Sequence, residues 1–361
     1  MKEFTNGNLA LTHFGAGDVM NTTAGTVEQG TLTDANALTP EMKTFYDKTL
    51  LTLAGANLVH EQFGQKRPIP KNGGKTIEFR SFSPLAKATT PLTEGVTPNG
   101  NQLDVKAITA TVSQYGDFIV QSDVLELTAL DNTILEATKL LGRQAGMTLD
   151  TITRNVLVGG TNVMYAPKIN ASTGAETAVV SRAGLDNTCV LTVNLVEQVV
   201  AELRAQNAPT IDGDYIGIIH PYTAYDLMRD PDWRDPHKYA DTTNLYEGEI
   251  GKIGGVRFVQ STEAKIWRDS TCPAQSGANP AYYAVFASLF FGDGAYGTTE
   301  VEGGGLQTIV KQKGSAGTAD PLDQRSSVGW KAMKTAEILL PSYLIRVEHM
   351  TRRYSATASA N

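Results

Sequence analysis

The sequence predicts an α+β fold, and three observations carry that reading. An apolar stripe with the 3.6-residue period of a helix runs from about 132 to 158. Two stretches, 75–82 and 104–120, alternate apolar and polar side chains with the period of two of a half-buried strand. Helix and strand patterns then alternate from about 190 to 291, and the chain closes on strands near 306–312, 326–339 and 343–350.

Residues 1–38 are rich in Thr, Gly, Asn and Ala, with large apolar side chains only at scattered places such as Phe4, Leu9, Leu11, Phe14 and Val19. No period survives, so the segment has no core of its own. It is expected to be an arm, ordered only where another surface, most simply a neighbouring subunit, holds it. Thr39 as N-cap and Pro40 at the first helical position start a helix. Met42, Phe45, Tyr46, Leu50, Leu53 and Leu58 supply its stripe, and it is expected to end near Gly64, ahead of Pro68 and Pro70.

Strands at 75–82 and 104–120 enclose 21 residues, Ser83 to Leu103, that hold Pro84, Pro91, Pro98, Gly95 and Gly100. On the second strand Ile108, Ala110, Val112, Phe118 and Val120 share one face. A connection that long without a core is unusual inside a compact domain. An isolated two-stranded ribbon is also marginal in water. The pair is therefore expected to be an extended hairpin arm lying on another surface, with hinges at Gly73, Gly74 and Gly116.

Ser122 or Asp123 caps a short helix, and Asp131 or Asn132 caps a longer one reaching about Val158. The stripe of the longer helix is Ile134, Leu141, Ala145, Leu149, Ile152 and Val156. At 1.5 Å per residue it is roughly 40 Å long. Gly142 and Gly146 each weaken helix propensity by about 1 kcal/mol, which signals close backbone packing at those positions. Residues 159–191 read as turns. A third helix, capped by Thr192 or Asn194, carries Val196, Val199, Val200 and Leu203. A strand at 214–219, a helix from Pro221 to about Met228 and a polar, proline-punctuated loop at 230–241 follow. The Gly254–Gly255 pair is a tight turn feeding a strand at 256–260. After a Ser/Gly/Pro-rich insert at 269–280, the apolar run 281–291 suits a fully buried strand. Residues 351–361 show no pattern and are expected to be unstructured.

With 361 residues the chain has room for two or three domains and a core that needs no metal or disulfide. No apolar run reaches the 18 or so residues of a membrane helix, and no signal-peptide pattern is expected at the N-terminus. Cys189 and Cys272 are too few for a disulfide framework or a zinc site, and read as reduced thiols of a cytoplasm-made protein. A net charge of −7 argues against a dedicated nucleic-acid binder, though not against a container for one.

No catalytic signature is present: no HExxH, GxSxG, dinucleotide fingerprint or CxxC. Gly248, Gly251 and Lys252 have the wrong spacing for a phosphate loop, and Ile253 lacks the hydroxyl that would hold magnesium. The most enzyme-like set is His220, Asp226, Asp230, Asp232, Asp235 and His237. Its alternating oxygens imitate a calcium loop but lack the turn glycine and the terminal Glu. Arg229, Arg234 and Lys238 offset its charge, so a solvated ion-paired loop is favoured over a metal site. Trp233 inside that loop either folds back onto its own domain or anchors a subunit contact. Arg80, Lys87 and Glu94 on the hairpin read as solvated charges.

Two stretches carry a family resemblance. GEIGKIGGVRFVQSTE at 248–263 resembles the axial-domain core of tailed-phage major capsid proteins, and GTADPLDQRSSVGWK at 317–331 resembles their closing segment. The resemblance, to the subfamily found in short-tailed and many other phages, covers nearly the whole chain. It implies the Hong Kong ninety-seven-type capsid fold. The N-terminal arm would be 1–39, the N-terminal helix 40–65 and the extended loop 66–121. A peripheral domain with a long spine helix would take 122–189 and 319–361, and an axial α/β domain 190–318. The implied function is assembly, without catalysis or cofactor, into hexamers and pentamers of an icosahedral shell around double-stranded DNA. Interfaces are then expected at Phe4, Phe14, Arg80, Lys87, Glu94, Asp232, Trp233 and His237. Implied partners are other copies of the chain, a portal protein, a separate scaffolding protein, a cement or decoration protein and, non-specifically, packaged DNA, with no membrane. The implied location is the virion capsid, assembled in the host cytoplasm. Two alternatives stay open: an encapsulin-like nanocompartment shell, and a soluble α/β metal-dependent enzyme with a site at His220–His237.

Overall fold

A computed structural model of the chain describes residues 27–28, 31–32, 50, 53–54, 58–82, 85, 87–92, 94–95, 100–128, 133–170, 172–233, 249–275, 282–315 and 320–361. In chain order the elements begin with β1 (Val27–Glu28), β2 (Thr31–Leu32), β3 (Gln65–Lys66), β4 (Thr76–Phe82), β5 (Val105–Thr111) and β6 (Ser113–Ser122). Helices α1 (Asp123–Thr128) and α2 (Thr133–Val158) follow, then β7 (Val163–Tyr165), β8 (Lys168–Ile169) and β9 (Glu176–Thr177). Next come α3 (Val193–Ala205), β10 (Tyr215–Ile219), α4 (Pro221–Leu227), β11 (Glu249–Ile253), β12 (Val256–Gln260) and β13 (Ile266–Trp267). The chain closes on β14 (Val285–Phe291), β15 (Tyr296–Glu300), β16 (Gln307–Lys311), β17 (Arg325–Ile338) and β18 (Leu344–His349). These residues fall into two compact units, one within 1–57, 114–146 and 304–332, the other within 58–113, 147–303 and 333–361.

In the first unit α2 meets the helical residues Leu50 and Ala54 backbone to backbone. A Cβ added to Gly146 would stand 2.5 Å from the Ala54 carbonyl oxygen, and one on Gly142 would stand 3.1 Å from that of Leu50. The two glycines thus exchange helix propensity for close approach, as the sequence predicts. Strand β17 pairs with β6 and, antiparallel, with β16, placing Ile309 opposite Gly329. Gly116 lies against this ladder: a Cβ there would sit 2.5 Å from the Trp330 carbonyl oxygen, so close strand packing is its use, rather than a hinge. The buried Trp330 donates its indole N–H to Gln144 Oε1 at 3.3 Å, and Gln144 Nε2 donates to Asp117 at 2.6 Å.

The second unit is built on a sheet of order β11-β12-β10-β14-β18-β7, with β13 beside β14. Alternation divides its core. Tyr215, Ile219, Phe258 and Phe290 pack with Leu195, Val196, Val199 and Leu203 of α3. Ile216, Ile218, Leu289 and Phe291 pack on the other face with Leu157 and Val158 of α2 and with Tyr296. Covered on both faces, β14 is buried at every residue. Thr192 caps α3 by accepting from Leu195 N at 3.3 Å. Gly254 and Gly255, at φ +61° and +84°, form the β11–β12 turn, where both central residues need positive φ.

Three expectations are corrected. The helix predicted to reach Gly64 falls short of it: residues 53–54 are helical, but Leu58 and Val59 are not and residues 60–63 are a turn. There the buried His60 is fixed by Asp150, which accepts from its backbone N–H and pairs with its Nδ1, both at 2.7 Å, so a tertiary contact overrides the helical stripe. The strand predicted at 104–120 breaks at Val112, whose N–H donates to Lys75 O at 2.8 Å. Upstream, β5 stays with β4; downstream, β6 joins β17. The expected common face is split accordingly, with Ala110 and Val112 buried but Phe118 and Val120 exposed. Residues 351–361 lack regular structure yet are packed. Arg268 donates to the carbonyls of Ala356 and Ala358, Ser355 O accepts from Ala284 N, and Asn361 Oδ1 accepts from Ile266 N.

Candidate functional site

Hairpin β4–β5 is in register from Thr76↔Thr111 to Phe82↔Val105. Its base is anchored: Phe79 is buried with Ala110 and Leu339, and the Arg67 guanidinium lies 6.0 Å from the Phe79 ring centroid. Beyond Phe79 the cover ends. Leu85, Leu92, Leu103 and Val105 are exposed, Leu92 to 77%. Arg80 is exposed and pairs with Glu78 at 3.1 Å, and Lys87 and Glu94 are exposed as well. In the first unit Phe118 (67% exposed), Val120, Val124 and Leu125 are exposed as well. Contiguous exposed apolar side chains mark contact surfaces more often than isolated ones do.

The acidic stretch after α4 is held by structural bonds. His220 is the N-cap of α4, its Nδ1 accepting from Tyr222 N at 3.1 Å. Burial lowers its pKa to about 4, so the ring is neutral at pH 7. Asp226, its pKa raised by burial, accepts from Arg352 N at 2.9 Å. Asp230 accepts from Val193 N at the start of α3 and from Asp232 N, at 3.2 and 3.1 Å. Asp232 is exposed. The Nδ1 of His220 and the carboxylates of Asp226 and Asp230 are thus engaged in backbone bonds, and among the described residues no three His, Cys, Asp or Glu side chains are grouped to hold a metal. Trp233 is 4% exposed and meets Phe258 edge-on at 5.5 Å. Its surface is consumed by its own unit's core, which removes it from the expected interface set. Phe4, Phe14, Asp235 and His237 lie outside the described residues.

Two buried polar groups escape sequence reading. Ser288 Oγ lies 2.9 Å from His349 Nε2, while His349 Nδ1 faces the Met350 carbonyl at 3.1 Å. Both side chains are fully buried, and burial lowers His349 to about 4. The pair resembles a nucleophile and base but is sealed within the sheet. Glu348, fully buried, takes a two-point bond from Arg182 at 2.7 and 2.8 Å and an ion pair from Arg346 at 3.0 Å. The Trp267 ring lies 3.7 Å from the Arg182 guanidinium. Partners 61 and 166 residues apart in the chain leave no spacing by which to find such pairs. Cys189 and Cys272 are free and buried, and burial raises the Cys189 thiol to about 11, so neither is poised as a nucleophile.

The sequence pattern of the phage capsid protein family matches residues 9–316. The chain belongs to that family. The role this gives it is that of a major capsid protein, a building unit of the virion shell, and the expected capsid fold holds. Solved capsids agree in fold. The capsid protein of cyanophage P-SCSP1u is 18% identical, with 80% of this chain and 87% of that one covered and a TM-score of 0.58. For cyanophage Pam1 the values are 12%, 85% and 93%, with a TM-score of 0.59. For Ralstonia phage GP4 they are 12%, 82% and 89%, with 0.58. No curated protein matches the sequence. Membership of a capsid family favours neither the nanocompartment nor the metal-enzyme alternative.

Proposed function

We propose that the subunit forms hexamers and pentamers of an icosahedral shell around double-stranded DNA, assembles in the host cytoplasm and turns over no substrate. The observation that carries this is the hairpin of a capsid-family chain that is anchored at Phe79 and bare beyond it. A ribbon with that much uncovered apolar side chain gains by lying on a neighbour. In this reading residues 1–39 are an arm, 66–121 the extended loop, 122–189 with 319–361 the peripheral domain and 190–318 the axial domain. Arg80, Lys87, Glu94 and Asp232, all exposed, contribute to contacts between copies. Portal, scaffolding and decoration proteins are the remaining partners, with packaged DNA nearby. Many modest contacts repeated over a closed shell sum to a stable container.

The test is removal of residues 84–102, followed by electron microscopy and circular dichroism. Folded subunits that no longer close shells are expected. Normal shells from the shortened chain would overturn the role given to the hairpin, and a wild-type protein that stays monomeric with its phage partners present would overturn the shell reading itself.

A further inference from the structure

The chain enters the hairpin through a turn whose residues the geometry dictates. Pro70 to Gly73 is closed by Gly73 N donating to Pro70 O at 2.9 Å. Its third residue, Asn72, has φ +68°, in the left-handed region that Asn and Gly tolerate best. A Cβ on Gly73 would stand 2.9 Å from the Pro70 carbonyl oxygen, so a side chain is crowded out there. The turn thus selects Asn followed by Gly, and that pair carries a chemistry of its own. The backbone nitrogen after an Asn can attack the side-chain amide carbon, and glycine, with no Cβ, obstructs the approach least. Little opposes this at Asn72. The residue is exposed, and among the described residues its amide makes no hydrogen bond. Gly73 and Gly74 are exposed too, and a Cβ on Gly74 would meet nothing within 4 Å. The one restraint is the bond from Gly73 N to Pro70 O, and a single exposed hydrogen bond slows opening by about tenfold at most. Residues 66–77 also hold Lys66, Arg67, Lys71 and Lys75, all exposed, and no carboxylate. Cations nearby favour the deprotonated amide that attacks.

We propose that Asn72–Gly73 is a self-modification site, at which the root of the hairpin changes with age. The Gly73 nitrogen bonds to Asn72 Cγ, the Cγ–Nδ2 bond breaks, and the proton from the Gly73 nitrogen leaves with Nδ2 as ammonia. Water then opens the cyclic imide at either carbonyl. Opening at Cγ gives aspartate. Opening at the main-chain carbonyl gives isoaspartate, whose backbone runs through Cγ and is one methylene longer. Either product puts a carboxylate between Lys71 and Lys75. The longer backbone no longer fits a turn that leads straight into the β4–β5 ladder, where Val112 N donates to Lys75 O at 2.8 Å. The proposal does not rest on the shell reading, because isolated subunits test it.

Purified subunits are aged at neutral and at mildly alkaline pH, cleaved after Glu61 and Glu78, and the 62–78 peptide is followed by mass spectrometry with an isoaspartate assay. Asn207 is the internal control: it is also exposed and at positive φ (+55°), but Ala208 follows it. Asn72 should convert at least about tenfold faster than Asn207, because the residue after it has no Cβ. The rate should rise with pH, and Asn72→Gln should leave the peptide unconverted. Hydrogen exchange at 76–80 and 107–111 reads the consequence. It should be faster in aged wild type than in fresh wild type, aged Asn72→Gln or fresh Asn72→Asp. Conversion at Asn72 no faster than at Asn207 overturns the site. Conversion without a change in exchange, or with a change that fresh Asn72→Asp reproduces, overturns the role given to the longer backbone.

Discussion

Strand β14 and hairpin β4–β5 are both β structure with apolar side chains, and they meet opposite fates. Every residue of β14 is buried, with α3 packed on one face and the end of α2 on the other. Among the described side chains of the hairpin strands only Phe79 and Ala110 are buried. The chain thus finishes one sheet within itself and leaves the hairpin for something else to cover. Burial, rather than strand propensity, separates the part that makes the subunit from the part available to other copies.

The comparison is broken most severely from the β14 side. Phe290→Ala should remove about 3–5 kcal/mol, the usual result of emptying a fully buried aromatic site, measured by denaturant unfolding. A loss below about 1 kcal/mol would mean that β14 is not the centre of a packed core. Phe79→Ala should cost about 3 kcal/mol, since the cluster it fills is small. Its sharper signature is faster hydrogen exchange at 76–80 and 107–111 with β14 still protected. Equal loosening of both would erase the distinction between them.

Acid should act on the core and spare the hairpin. His349 and His220 both have folded pKa values near 4, below the ordinary value of 6.5, because burial disfavours the charged ring. Between about pH 6.5 and 4 the unfolded chain therefore binds protons that the folded one does not, so stability falls as pH falls through that window and is level above it. His349→Gln should flatten part of that slope in a series of melts. An unchanged slope would show that the ring is not held neutral. The smallest effect on the fold belongs to the tip: Leu92→Ser should shift stability by no more than about 0.5 kcal/mol while lowering the yield of closed shells. An unaltered shell yield would place the contact elsewhere on the hairpin.

Periodic elements were readable from sequence because their burial is local and repeating. The stripe from Ile134 to Val156 lies on α2, Gly142 and Gly146 mark its close contact, and β12 matches residues 256–260. Elements decided by distant partners were not readable. His60 ends a helical pattern because Asp150, 90 positions away, accepts its backbone N–H. Val112 divides one apparent strand into two because its N–H is taken by Lys75 and the residues beyond it pair with β17. Trp233, in a charged stretch, is drawn into the core by Phe258 rather than left for a neighbour. Of the candidate contact residues, Arg80, Lys87, Glu94 and Asp232 are solvent-facing, as their charge suggests.

The packing of residues 351–361 carries a consequence for sequence drift. Arg268 grips Ala356 and Ala358 by their carbonyl oxygens, and every amino acid supplies such an oxygen. The clasp is therefore indifferent to what Ala356, which is exposed, carries as a side chain, while Ala358, which is buried, tolerates only something small. Side chains fix the segment at three places: Arg268, Asp226, which accepts from Arg352 N, and Asn361, which bonds Ile266 N and Ala264 O. A change of side chain at Ala356 therefore leaves the clasp intact, whereas loss of Arg268 removes it and leaves the segment to its bonds at Arg352, Ser355 and Asn361.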